Sequence, residues 1–138
     1  MSGDIDTSMT IAASGMAAQS ARIKLIAQNL ANADSTATAP GQDPYRRQEI
    51  TFKSVFDRVS GVNVVKVAGV VSDKSEFHKK YDPTHPAADQ DGYVATPNVN
   101  PLIEASDMHE AENSYQANLS AMDMIKTMDS QIISDIKQ

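Results

Sequence analysis

The stretch TSMTIAASGMAAQSARIKLIAQNLAN, residues 7–32, decides how the rest of the chain is read. Met9, Ala12, Met16, Gln19, Ile23, Ile26, Leu30 and Ala33 recur at alternating steps of three and four, the seam of a helix that meets another helix. At about 100° per residue, Ile11, Ala18 and Leu25 form a second, thinner apolar stripe on the far side. Ala13, Ala17, Ala27 and Ala31 shoulder the main seam, and the polar part of the circumference is chiefly Arg22, Lys24, Gln28 and Asn29. A helix apolar on several sides is buried among several neighbours. The chain offers one other long helix, so the remaining neighbours are expected from other subunits.

Details at the helix ends follow from local chemistry. Residues 1–6 are expected to be flexible, with Asp4 and Asp6 near the positive end of the helix and Thr7 or Ser8 as its N-cap. Gly15 costs about 0.5–1 kcal/mol against alanine inside a helix. It is either a tolerated surface glycine or a point of close helix approach, and the small neighbours Ser14, Ala17 and Ala18 favour the second. Asn29 and Asn32 fall at the C-terminal end, where asparagine tolerates the left-handed cap conformation. Bonding to a neighbouring segment is the alternative for Asn32.

The turn-rich run ADSTATAPGQDP, residues 33–44, ends this helix. Tyr45–Phe52 reads as a short strand, Ser54–Val59 as a helical turn closed by Ser60-Gly61, and Val62–Val71 as a valine-rich strand apolar on both faces. Glu76–Tyr81 is its expected antiparallel partner, and Tyr93–Ala95 a possible further short strand. Asn100-Pro101 is an N-cap followed by proline at the first helical position. From there Met108, Ala111, Tyr115, Leu119, Met122, Ile125, Met128, Ile132 and Ile136 keep a three/four spacing to Ile136. The two helices would extend for about 40 and 50 Å. The expected fold is mainly α with a small β-rich middle. A coiled-coil-like pair of long terminal helices (1–34 and 101–138, one structural unit) flanks a β and loop region (35–100).

Composition narrows the function. The net charge is −6, and from Leu102 onward seven acids face two lysines. Without a long basic stripe there is no source of phosphate affinity, and Arg46-Arg47 is too short to supply one, so no nucleic acid is expected. There are no cysteines, which excludes disulfides and thiolate chemistry. No run approaches the ~20 apolar residues that span a bilayer. MSGDIDTSM carries acids where a secretory signal needs positive charge. Composition alone therefore reads as a soluble cytoplasmic chain.

Catalytic constellations are absent. Asp82, His85, Asp89 and Asp91 come together in YDPTHPAADQDGY, but Glu104 is at the wrong spacing for a calcium loop and a zinc site lacks its third and fourth ligands. The segment reads as a proline-fixed turn whose aspartates bond nearby amides. His109, Glu110 and Glu112 lie on the last helix without a zinc-protease spacing, because position 113 is Asn. No metal, no cofactor and no enzymatic activity are expected.

Several segments together carry a resemblance. Ser14-Gly15-Met16-Ala17-Ala18-Gln19, Arg22 and Asn29-Leu30-Ala31-Asn32 resemble the N-terminal signature of the flagellar rod and hook axial proteins. Pro44-Tyr45-Arg46-Arg47, Tyr81-Asp82-Pro83 with Gly92-Tyr93-Val94, Thr96-Pro97-Asn98-Val99-Asn100, and Ser114-Tyr115-Gln116-Ala117-Asn118 extend it over nearly the whole chain, in order. The resemblance implies a structural subunit of the bacterial flagellar basal body. Such a subunit is exported through the flagellar type III gate without a cleaved signal, and polymerises in the periplasm into a hollow, torque-transmitting rod. It replaces the cytoplasmic reading. It also implies partners: copies of itself, other rod proteins, and the basal-body ring and export-gate adaptor at the proximal end.

Carried over by position, Gly15 permits close helix approach and Asn29 and Asn32 bond across at the helix end. Tyr115 and Gln116 pack and bond on the last helix. The interaction set is then Met9, Ser14, Gly15, Met16, Gln19, Arg22, Ile23, Ile26, Asn29, Leu30 and Asn32 on the first helix, Tyr45, Arg46 and Arg47 after it, and Tyr115, Gln116, Asn118, Leu119, Met122 and Ile125 on the last. Asn113 beside Glu112, where many relatives carry a basic residue, and the ending SDIKQ depart from the family pattern. A coiled-coil adaptor that binds partner helices without polymerising is the rival reading; it accounts for the seams but not for the ordered middle motifs.

Overall fold

The computed structural model describes residues 2–137, so the expectations for Met1 and Gln138 fall outside it. The elements in order are α1 (Ser2–Ala31), β1 (Gln48–Asp57), β2 (Val62–Ser72), β3 (His78–Tyr81), β4 (Tyr93–Thr96) and α2 (Pro101–Ile136). They fall into two compact units: residues 1–23, 51–69 and 109–138, and residues 24–50 and 70–108.

α1 begins before the expected cap. The hydroxyls of Thr7, Ser8 and Thr10 donate to the carbonyls of Gly3, Asp4 and Asp6 at 2.6, 2.8 and 2.9 Å. Each is satisfied on the turn behind it, so none is needed at an N-terminus and the helix includes Ser2–Asp6. At the other end α1 stops without a left-handed residue, since among the described residues no non-glycine residue has positive φ. α2 starts as the sequence indicates: Asn100 Oδ1 accepts from Leu102 N–H at 3.0 Å, and Pro101 takes the first helical position.

The terminal helices pack together and run antiparallel. In the first unit Gly15 lies against the Asn118 amide, Arg22 pairs with Glu110 at 3.6 Å, and Ile5 shares a groove with Ile125 and Ile132. In the second, Asn29 meets Glu104 at 3.1 Å. The buried face of α1 is Ala12, Ala18, Leu25, Ile26 and Asn29, a face turned from the large-residue seam towards the thinner stripe. Within the first unit β2 comes up to this helix, Val65 N–H donating to Ser14 Oγ at 3.2 Å. Met9, Met16, Ile23 and Leu30 remain half-buried.

The β elements form two antiparallel two-stranded sheets, β1-β2 and β3-β4. β1 continues through Ser54–Asp57, where a helical turn was expected, because β-prone Val55 and Phe56 lie beside a hydrogen-bonding partner strand. Its start moves to Gln48, since Arg47 N–H is bonded instead to Asn98. The partner of β3 is β4 and not β2, with His78 opposite Thr96 and Tyr81 opposite Tyr93. The connection between them turns at Gly92, whose φ is +84° and whose missing Cβ would come within 2.9 Å of the Tyr81 ring and 3.1 Å of Pro83 Cβ. Gly92→Ala is expected to lower the stability of the second unit by about 1–3 kcal/mol, measured by urea denaturation, with wild-type helicity retained at low denaturant.

Candidate functional site: a buried polar clasp

Four separated segments of the second unit converge on one carboxylate. The last turn of α1 brings in Asn29, the segment before β1 brings Tyr45 and Arg47, the turn before α2 brings Asn98, and the first turn of α2 brings Glu104. Glu104 has no solvent exposure and Asn29 has 1%. Glu104 accepts from Arg47 Nε through one oxygen and from Asn29 Nδ2 through the other. Asn29 is used on both sides of its amide: Nδ2 also donates to Gln48 O at 2.9 Å, while Oδ1 accepts from Tyr45 Oη at 2.8 Å and from Gln48 N–H at 3.1 Å. Asn98 repeats the device, accepting from Arg47 N–H at 2.7 Å and donating to Asp73 O and Ser75 Oγ at 3.0 Å each.

Arg47 is the cation of the clasp. It also reaches Glu49, Asp73 at 3.4 Å and Asp107 at 3.6 Å. Burial works against its charge, but the hydrogen bond and charge of Glu104, joined by those of Glu49, prevail and raise it above its ordinary range. Burial, then the Glu104 charge, raises the Tyr45 phenol, which therefore stays a donor to Asn29. A buried ion pair is stabilising only when its remaining hydrogen-bonding positions are filled, and here both Glu104 oxygens accept a hydrogen bond while Arg47 Nη1 reaches further carboxylates.

Asp73 is held below the usual carboxylate range by the Ser75 backbone N–H and hydroxyl, with Arg47 adding to them. A lowered folded value means its contribution is whole above the unfolded carboxylate pKa of about 3.9 and is lost as pH falls through the folded one. Asp73→Asn is accordingly expected to flatten the acid limb of stability against pH while leaving neutral-pH secondary structure unchanged, as followed by circular dichroism.

The remaining singled-out residues are dispersed. Arg46 donates to Asp73 O and Ser75 O at 2.9 and 3.0 Å and stacks 4.1 Å over the Phe77 ring. Asn32 does not bond across: its side chain donates to Gln28 O in its own helix at 2.8 Å. Ile26 is buried, and the Gln19 amide oxygen is buried with no partner among the described residues. Tyr115, Leu119, Met122 and Ile125 are half-buried on α2, and Gln116 is exposed. The Asp82–Asp91 loop is the turn expected: Asp89 Oδ1 accepts from Asp91 and Tyr93 N–H at 2.9 Å, and His85 Nδ1 from Ala87 N–H at 3.0 Å. No group of three or more His, Asp or Glu suited to a metal occurs among the described residues.

Glu104, Asn98 and Asp73 were not among the residues singled out for interaction. Glu104 reads locally as an acid in the first turn of a helix, which dipole chemistry already explains. Its partner Arg47 is 57 residues away in sequence.

Residues 9–38 match the family model "Flagella basal body rod protein" and residues 90–135 match "Flagellar basal body rod FlgEFG protein C-terminal". The flagellar basal-body rod protein FlgC of Agrobacterium fabrum is 52% identical over 112 residues, 81% of each chain. The chain belongs to the FlgC family of flagellar basal-body rod proteins. The Salmonella typhimurium FlgC is 40% identical, over 86% of this chain and 87% of its own, and that of Bacillus subtilis 36%, over 88% and 91%. As a FlgC-family chain it is a structural, non-enzymatic subunit of the flagellar basal-body proximal rod, and it assembles with other rod proteins. The two matched segments carry Asn29 at one side of the clasp and Asn98 and Glu104 at the other. No helix among the described residues is long and apolar enough to cross a membrane.

Proposed function

We propose that the chain polymerises with copies of itself and with other rod proteins through its terminal segments, 1–34 and 101–138, into a hollow helical shaft that transmits torque and passes exported subunits. At the proximal end it meets the basal-body ring and export-gate adaptor, and residues 35–100 act as a middle region between the terminal segments. The interaction residues are the half-buried flank of α1 (Met9, Met16, Ile23, Leu30) and the corresponding positions of α2 (Leu119, Met122, Ile125).

The supporting observation is apolar surface left over after the helices have paired. Ile11 on α1 and Met124, Met128, Ile133 and Ile136 on α2 are exposed, and Val65, Val67, Val70 and Val71 of β2 are exposed as well. Single apolar residues are ordinary on a monomer's surface, but this many on one helix and one strand is more apolar surface than the chain covers by itself. Ordering long helices against a single neighbour leaves little net stability, so the helix ends are expected to fray in the free chain and to become helical on assembly.

Sedimentation velocity and far-ultraviolet circular dichroism across a concentration series test this. Association and helicity should rise together. A chain that stays monomeric, fully helical and heat-resistant at every concentration overturns the proposal.

A further inference from the structure

The tip of the β1-β2 hairpin and a groove between the helices are both in the first unit, and they are opposite in character. The tip, residues 58–61, is pre-shaped. Gly61 N–H donates to Asp57 O at 2.8 Å, Ser60 N–H and Oγ–H donate to Asp57 Oδ2 at 3.2 and 2.6 Å, and Gly61 has φ +71°. On this fixed turn Val59 is 96% exposed and Phe56 at its base 60% exposed, with the cation Arg58 beside them. The groove is a concavity of about 290 Å³ lined by Ile5, Ser8, Ile125, Met128 and Ile132, with one charge, Asp4. Among the described residues neither Arg58 nor Asp4 makes an ion pair.

We propose that the hairpin tip of one copy docks into the helical groove of a second copy, Val59 entering the apolar floor and Arg58 facing Asp4. A second copy is the occupant because knob and groove are complementary in polarity and in sign and come from one chain. A rigid turn presenting an apolar side chain and an arginine has little conformational freedom to lose on binding, and apolar anchors seated in pockets carry most of an interface's energy. Different patches meet, so the contact is heterologous. Repetition of such a contact closes a ring or continues as a helix. The proposal rests on the assembly reading and assigns one contact within it.

The chain has no cysteine, so introduced thiols report one pair at a time. Val59→Cys copies are mixed with Met128→Cys copies at associating concentration and oxidised mildly. Both positions are exposed, and unchanged circular dichroism is required of each variant. The expected product is the mixed disulfide, with little cross-linking in either variant alone. Arg58→Asp should weaken association about tenfold, and Asp4→Arg in the same chain should restore it. Wild-type association without the mixed disulfide, or Val59→Cys linking chiefly to itself, overturns the docking while leaving assembly intact. Absence of wild-type association removes both.

Discussion

Glu104→Ala is expected to destabilise the second unit by about 3–5 kcal/mol, because it leaves the largely buried Arg47 guanidinium without its main partner. Asn29 loses an acceptor at the same time and keeps only Gln48 O for its amide nitrogen. Arg47→Met should cost a similar amount from the other direction, since it abandons a carboxylate with no solvent exposure. Combining Arg47→Met with Glu104→Ala removes both charges, and the double variant should lose much less than the sum of the singles. Urea denaturation of the four proteins closes the cycle. Additivity within about 0.5 kcal/mol, or a Glu104→Ala loss under about 1 kcal/mol, would show that the clasp does not hold this unit together.

The second large effect is on assembly. Leu30→Asp should abolish incorporation into the rod, and with it motility, while export of the chain continues. Leu30 is adjacent to Asn29, yet it is only half-buried and stands on the same flank as Met9, Met16 and Ile23, each seven residues from the next. A charge there stays partly solvated in the free chain, so the fold survives. Enclosed by a neighbouring subunit it would lack both water and a counter-charge, at a cost of several kcal/mol per contact. Export is followed by the variant's appearance outside the cytoplasm, and incorporation by its presence in isolated basal bodies. A motile Leu30→Asp strain would remove Leu30 from the interface.

Some elements are decided by local signals and others by distant contacts. Three/four periodicity and the Asn100-Pro101 cap placed α2 at Pro101–Ile136, and the valine run placed β2. These signals are local: they depend on 3.6 residues per turn, on side-chain alternation, and on a proline that needs no hydrogen-bond donor. The start of α1 was misplaced because a hydroxyl can serve either an N-cap or the carbonyl four residues back, and the sequence does not say which.

Partner choice is a different matter. That β3 takes β4, that α1 turns Leu25 and Asn29 inward while Leu30 stays half out, and that Arg47 finds Glu104 are settled by residues brought together from far apart in the chain. Asn29 shows the division. Its place at the end of a helix is written in its neighbours, whereas its work depends on Gln48 and on Glu104, 75 residues away. Periodicity is a property of a segment, and a buried charge is tolerable only where the whole fold supplies its counterpart.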